Sequence, residues 1–114
     1  MILPTDLRPL VKNFFELMIE RKFTEVEKIL AELRYKAKGR KLFQGYCHGL
    51  EGMVEAFETK DPFALINHIP EDLKEQIAFF KKESEYPFHV DFDKGIFGAW
   101  LDFSKFLESR GGKA

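Results

Sequence analysis

Along residues 44–55 the side chains of Gln44, His48, Glu51 and Glu55 recur at steps of four, three and four. On a helix these steps place all four on one flank. An imidazole and two carboxylates so spaced could ligate a divalent metal, or divide proton transfer with Glu51 as base and His48 as acid. A metal site within a bundle needs ligands from a second helix. The Glu-x-x-His order of di-iron carboxylate bundles is reversed here, in His48 and Glu51. No His-Glu-x-x-His pair is present. His48, Glu51 and Glu55 are thus candidate ligands whose simplest role is a solvated helix face. His68 and His89 are isolated, and join His48 only if the fold brings them together. No motif calls for a cofactor.

A second constellation is basic. Arg34, Lys36, Lys38, Arg40 and Lys41 place five positive charges within eight residues, with Tyr35 among them and Gly39 offering a turn. Phosphate or nucleic acid could be drawn there, next to the free N–H groups of a following helix. No Gly-rich phosphate loop accompanies it, and the formal net charge of the chain is -1. A dedicated nucleic-acid binder normally carries a basic excess. Cys47 is the only cysteine, so an internal disulfide and a multi-cysteine zinc site are excluded. Neighbouring helical residues point about 100° apart, which aims His48 poorly for activating Cys47. A core thiol is the expectation.

The elements that must carry these residues read as helices. Asp6 is an expected N-cap for a first helix with Leu7, Leu10, Val11, Phe14, Phe15 and Met18 inward and Pro9 in its first turn, ending near Lys22. Thr24 and Glu27 form a capping box for a second, with Val26, Ile29, Leu30 and Leu33 buried and Gly39 at its C-terminal end. The third, Arg40 to Thr59, has the clearest pattern. Leu42, Phe43, Tyr46, Cys47, Leu50, Met53, Val54 and Phe57 form one apolar face, and Gly45, Gly49, Gly52 and Ala56 a stripe beside it. Three glycines in a helix cost about 1 kcal/mol each relative to alanine, a cost that close packing, a ligand or a break in the helix would explain.

Asp61-Pro62 opens a short fourth helix with Phe63, Leu65 and Ile66 inward, and Pro70 separates it from a fifth with Leu73, Ile77 and Phe80. Phe88, Val90 and Phe92 alternate with His89 and Asp91, the pattern of a short extended segment over 88–92. Ile96, Trp100, Phe103 and Leu107 return to helical steps. A hairpin about Asp93, Lys94 and Gly95 is the alternative. The expected fold is all-α, a compact bundle or array of about six helices in one domain over 1–110, with a fraying tail at 111–114.

Hydrophobic residues make up 45% and charged residues 32% of the 114, which excludes a disordered chain. Thirteen phenylalanines exceed the ordinary need of one small core and leave apolar surface for an interface. No apolar run reaches the roughly 20 residues of a membrane helix and no signal peptide is evident, so a cytoplasmic location is expected. Asn and Gln together number four against thirteen Lys and thirteen Glu, a bias shared with heat-loving organisms. The run RKLFQGYCHGLEGMVEAF, with ETKDPFALINHIPEDLKEQIAFFKKE after it, resembles small all-helical families of thermophilic archaea described only as domains of unknown function. That resemblance implies a helical fold and carries no activity or site residue.

Three functions follow in order. The first is a helical protein–protein interaction or homo-oligomerisation module, with Gly45, Gly49, Gly52, Phe79 and Phe80 as candidate contact residues and a second copy of the chain as a candidate partner. Anion or nucleic-acid binding through 34–41 is the second. A small metal-dependent enzyme using His48, Glu51 and Glu55 is the third.

Overall fold

The computed structural model describes residues 3–59 and 73–111, the side chains of 59, 110 and 111 excepted. Five α-helices are present among them: α1 (Arg8–Ile19), α2 (Phe23–Lys36), α3 (Lys41–Thr59), α4 (Leu73–Glu85) and α5 (Asp91–Gly111). The short helix expected at 61–66, His68, and residues 112–114 of the expected tail lie outside the described residues. No helix among those described is long and apolar enough to cross a membrane.

Local chemistry explains where the helices begin and end, and corrects two expected caps. The chain enters α1 through a 3-10 turn at Thr5–Leu7, and Leu7 rather than Asp6 holds the cap position without a side-chain bond. Burial of Leu7 in the core decides the entry angle. Pro9 sits in the first turn as expected. At the other end, Lys22 N–H bonds the Leu17 carbonyl and Arg21 N–H the Met18 carbonyl, both at 3.0 Å, with Arg21 left-handed at φ +61. This is a Schellman turn with an arginine in glycine's usual place. It leaves so little chain that α2 starts at Phe23, and Thr24 of the expected capping box falls inside the helix without a capping bond. Arg21 compensates for its strained backbone by reaching across the fold. Its Nη1 donates to the Phe57 carbonyl in the last turn of α3 at 3.0 Å, and its guanidinium lies 5.1 Å from the Phe23 ring centroid.

The expected extended segment at 88–92 is corrected. Tyr86–Val90 form a turn, Asp91 and Phe92 already belong to α5, and the main-chain N–H of Lys94 bonds the Val90 carbonyl at 3.0 Å. No strand is present among the described residues to pair with such a segment, and a lone strand would leave its backbone groups without partners. Phe88 and Val90 are exposed, so their alternation does not mark a buried face. The alternative hairpin about Asp93, Lys94 and Gly95 is corrected likewise, because all three are helical.

The most extensive helix contact joins α3 to α5. The expected face of α3 is inward: Phe43, Tyr46, Cys47, Leu50, Met53 and Val54 are all buried. Its glycines explain the approach. A Cβ added to Gly45 would lie 1.8 Å from the Phe92 carbonyl oxygen, and one added to Gly95 would lie 2.0 Å from that of Leu42. At Gly49 the nearest atom is the Ala99 Cβ, at 2.8 Å, whereas Gly52 faces open space. Two of the three glycines in α3 thus let α5 pack backbone to backbone. Phe15, Phe57, Phe103 and Phe106 interlock beside this seam, with centroids 5.1 Å apart for Phe15 and Phe103. That cluster joins α1, α3 and α5 in one core.

Candidate functional site

The polar flank of α3 is divided among different neighbours. His48 is exposed, with its ring centroid 5.5 Å from that of Phe92. Glu51 pairs with Arg34 of α2, whose Nε donates to Oε1 at 2.6 Å and whose Nη2 lies 2.5 Å from the same oxygen. Glu55 is exposed one turn further on. Glu27, Glu58 and Val54 complete a groove of about 190 Å³ around this pair. Among the described residues no group of three His, Cys, Asp or Glu side chains is placed to hold a metal ion. Arg34 and Glu51, drawn from two separate sequence constellations, are thus each other's partners.

The remaining cations of the basic segment are spread in direction. The Lys38 ammonium lies 5.2 Å from the Tyr35 ring centroid, and the Arg40 guanidinium lies 5.5 Å from that of Phe43. Lys36 lines a shallow groove against α1 with Asp6, Asn13 and Glu32. Lys41 is exposed at the start of α3. Gly39, at φ +75, makes the turn between α2 and α3. Cys47 is buried beneath, where desolvation pushes its thiol up to about 11, Arg34 pulling it down and Glu51 raising it. A thiol so protonated is a poor nucleophile.

The polar centre of the molecule is a pair that the sequence reading passed over. Tyr46 of α3, fully buried, donates its hydroxyl to Asp102 Oδ2 of α5 at 2.8 Å. Burial raises the Asp102 carboxyl above its ordinary value, while the Tyr46 hydrogen bond, Lys105 and Arg8 pull it down. The Tyr46 phenol is pushed well up by burial and by the neighbouring carboxylate. One signal for this pair was present: Asp102 is the single charge in the stretch Ile96 to Ser104. Ser104 is also fully buried, its hydroxyl satisfied by the Trp100 carbonyl at 2.8 Å.

Asp102 and Lys105 border two cavities of about 300 Å³ each. Between α1 and α5, Leu3, Val11, Phe15 and Phe106 make an apolar floor, with Arg8, Lys12 and Lys105 around it. Between α4 and α5 the lining is more polar, from Lys81, Ser84 and Glu85 to Gly98 and Leu101.

A different surface occupies the α4–α5 corner. Phe79, Tyr86, Phe88 and Val90 remain 50%, 42%, 83% and 64% exposed. Ring contacts run from Phe88 to Tyr86, Tyr86 to His89, His89 to Phe97 and Phe97 to Phe79. His89 is braced by Glu83, 2.6 Å away, so the corner is locally held. Of the candidate contact residues, Phe79 belongs to this surface, while Phe80 is buried and stacks on Trp100 at 6.0 Å. Gly45 and Gly49 lie beneath α5, and Gly52 is exposed on α3.

Comparison of the chain with protein-family models, curated proteins and solved structures finds no match.

Proposed function

We propose that the protein is a helical interaction module that pairs with a second copy of itself through the α4–α5 corner. The observation that carries this reading is the continuous aromatic surface of Phe79, Tyr86 and Phe88 with Val90, left exposed while most other large apolar side chains among the described residues are at least partly buried. The flanking charges support a like partner. Exposed charges of both signs flank the corner, Lys81, Lys82 and Glu85 along α4 and Asp91 and Asp93 at the start of α5. A two-fold arrangement, the commonest symmetry of soluble oligomers, can set Lys81 and Lys82 of one copy against Asp91 and Asp93 of the other. The glycine seam supports the same assignment indirectly, since Gly45 and Gly49 are already occupied by α5. Anion binding through 34–41 has less behind it, with Arg34 engaged by Glu51 and two other cations lying over rings.

Sedimentation across micromolar concentrations tests the reading. A concentration-dependent dimer is expected, with the double variant Phe88→Ser, Val90→Ser sedimenting as a monomer at an unchanged melting temperature. A wild-type monomer throughout, or a dimer indifferent to both substitutions, overturns it.

A further inference from the structure

The cavity between α1 and α5 is unlike the molecule's other grooves. Its floor is almost wholly apolar, from Val11 and Phe15 on α1 to Phe106 on α5, yet three cations border it. Arg8 and Lys12 stand one turn apart on the same flank of α1, and Lys105 faces them from α5. All three are exposed, and among the described residues none forms an ion pair. Their distinction lies in converging on one apolar floor from two helices. The one carboxyl on the cavity wall among the described residues, Asp102, has an oxygen committed to the Tyr46 hydroxyl. The charge facing the cavity is therefore positive in balance, over an apolar floor.

An apolar pocket with a few convergent charged groups is the ordinary form of a small-molecule site, and about 300 Å³ is at the lower end of the usual range. We propose that this cavity binds a small anionic amphiphile, a monocarboxylate with a short apolar tail, with the tail against Phe15 and Phe106 and the carboxylate among Arg8, Lys12 and Lys105. Guanidinium and ammonium groups recognise a carboxylate through charge-assisted hydrogen bonds, while the tail removes apolar wall from water. A cationic amphiphile would meet three like charges, and a neutral one would gain the floor alone. The site is separate from the α4–α5 corner, so its test stands or falls independently of self-association.

The experiment is an NMR titration of isotope-labelled protein with sodium octanoate below its micelle concentration, beside parallel titrations with 1-octanol and octylammonium. Saturable octanoate shifts are expected in the amides of α1 and the 102–109 stretch of α5, with octanol binding about tenfold more weakly and octylammonium not at all. The double variant Arg8→Glu, Lys12→Glu changes only exposed side chains, and its retained melting temperature serves as the control for folding. It should weaken octanoate at least about tenfold while leaving octanol binding unchanged. Equal affinity for octanoate and octanol, an unaffected double variant, or no saturable shift with octanoate overturns the proposal.

Discussion

Adding one methyl group at Gly95 is the sharpest test of how α3 and α5 are held together. A Cβ there would lie 2.0 Å from the Leu42 carbonyl oxygen, 2.6 Å from the Tyr46 amide nitrogen and 2.9 Å from the Gly45 carbonyl carbon. A relaxed carbon–oxygen contact is roughly 3.3 Å. All three obstacles are backbone atoms in a helix, so no side chain can swing aside. The helices must separate by roughly 1 Å, a displacement that overpacked cores resist at a cost of about 1–3 kcal/mol. The same displacement stretches the Tyr46–Asp102 hydrogen bond, now 2.8 Å, for about 1 kcal/mol more. Against this, alanine gains about 1 kcal/mol of helix propensity over glycine. The net expectation for Gly95→Ala is a loss of about 1–3 kcal/mol, or a melting point lower by roughly 4–13 °C for a chain of this size. Gly45→Ala should behave alike, and Gly49→Ala should fall between, since its nearest obstacle is the Ala99 methyl at 2.8 Å. Gly52→Ala meets nothing within 4 Å and should instead gain up to about 1 kcal/mol. Thermal and urea denaturation of the four variants read this order directly. A Gly95→Ala protein melting at or above the wild-type temperature, or a Gly52→Ala protein less stable than Gly95→Ala, refutes the close crossing.

Three further outcomes concern the buried groups beside that crossing. Burial raises the Asp102 carboxyl in the folded state above its ordinary 3.8, so the native protein holds this proton more tightly than the unfolded chain. The stability it contributes is complete below the unfolded value and is lost as pH rises through the folded one. Asp102→Asn removes that titration. Relative to wild type it should therefore become progressively more favourable from about pH 4 towards neutrality, whereas Tyr46→Phe, which strips the buried carboxylate of its donor, should cost about 1–3 kcal/mol near neutral pH. Urea midpoints at acidic and neutral pH check both signs, and a parallel pH dependence in wild type and Asp102→Asn would count against the assignment. Cys47, buried and with its thiol pushed up to about 11, should react with a disulfide reagent at least about a hundredfold more slowly in the native protein than in urea. Rapid stoichiometric labelling of the folded chain would contradict its placement.

Periodicity was enough to locate α3 and its buried face, because every residue from Phe43 to Val54 at helical spacing obeys one geometric rule. The glycine stripe allowed a close approach, a ligand or a break alike, and spacing within one helix says nothing about which helix approaches. Gly95 and Ala99 answer it from fifty residues away in the chain. Asp102 was missed for a related reason: a lone carboxylate in an apolar run reads as a residue turned to solvent unless its donor is known, and Tyr46 by itself reads as another core aromatic. The Arg34–Glu51 pair is invisible to local reasoning, which had given its two members different chemistry. The 88–92 segment misled because alternation signals a strand only when one face is buried, and Phe88 and Val90 are both exposed. At the caps, Thr24 satisfied the local rule while the Arg21 turn upstream had already started the helix.

The order in which the ribosome delivers the two sides of the α3–α5 seam has its own consequence. Gly45 and Gly49 leave the exit tunnel roughly fifty residues ahead of Gly95 and Ala99, a lag of about 3–10 s at ordinary elongation rates. Throughout that interval α1, α2 and α3 can find one another, but Tyr46 has no carboxylate to bond and the groove that receives α5 stands open to water. The nascent chain therefore holds a glycine-floored apolar trough until a single late segment arrives to fill it. Completion of this core waits for α5, and chaperone protection would be needed most in the seconds before α5 emerges.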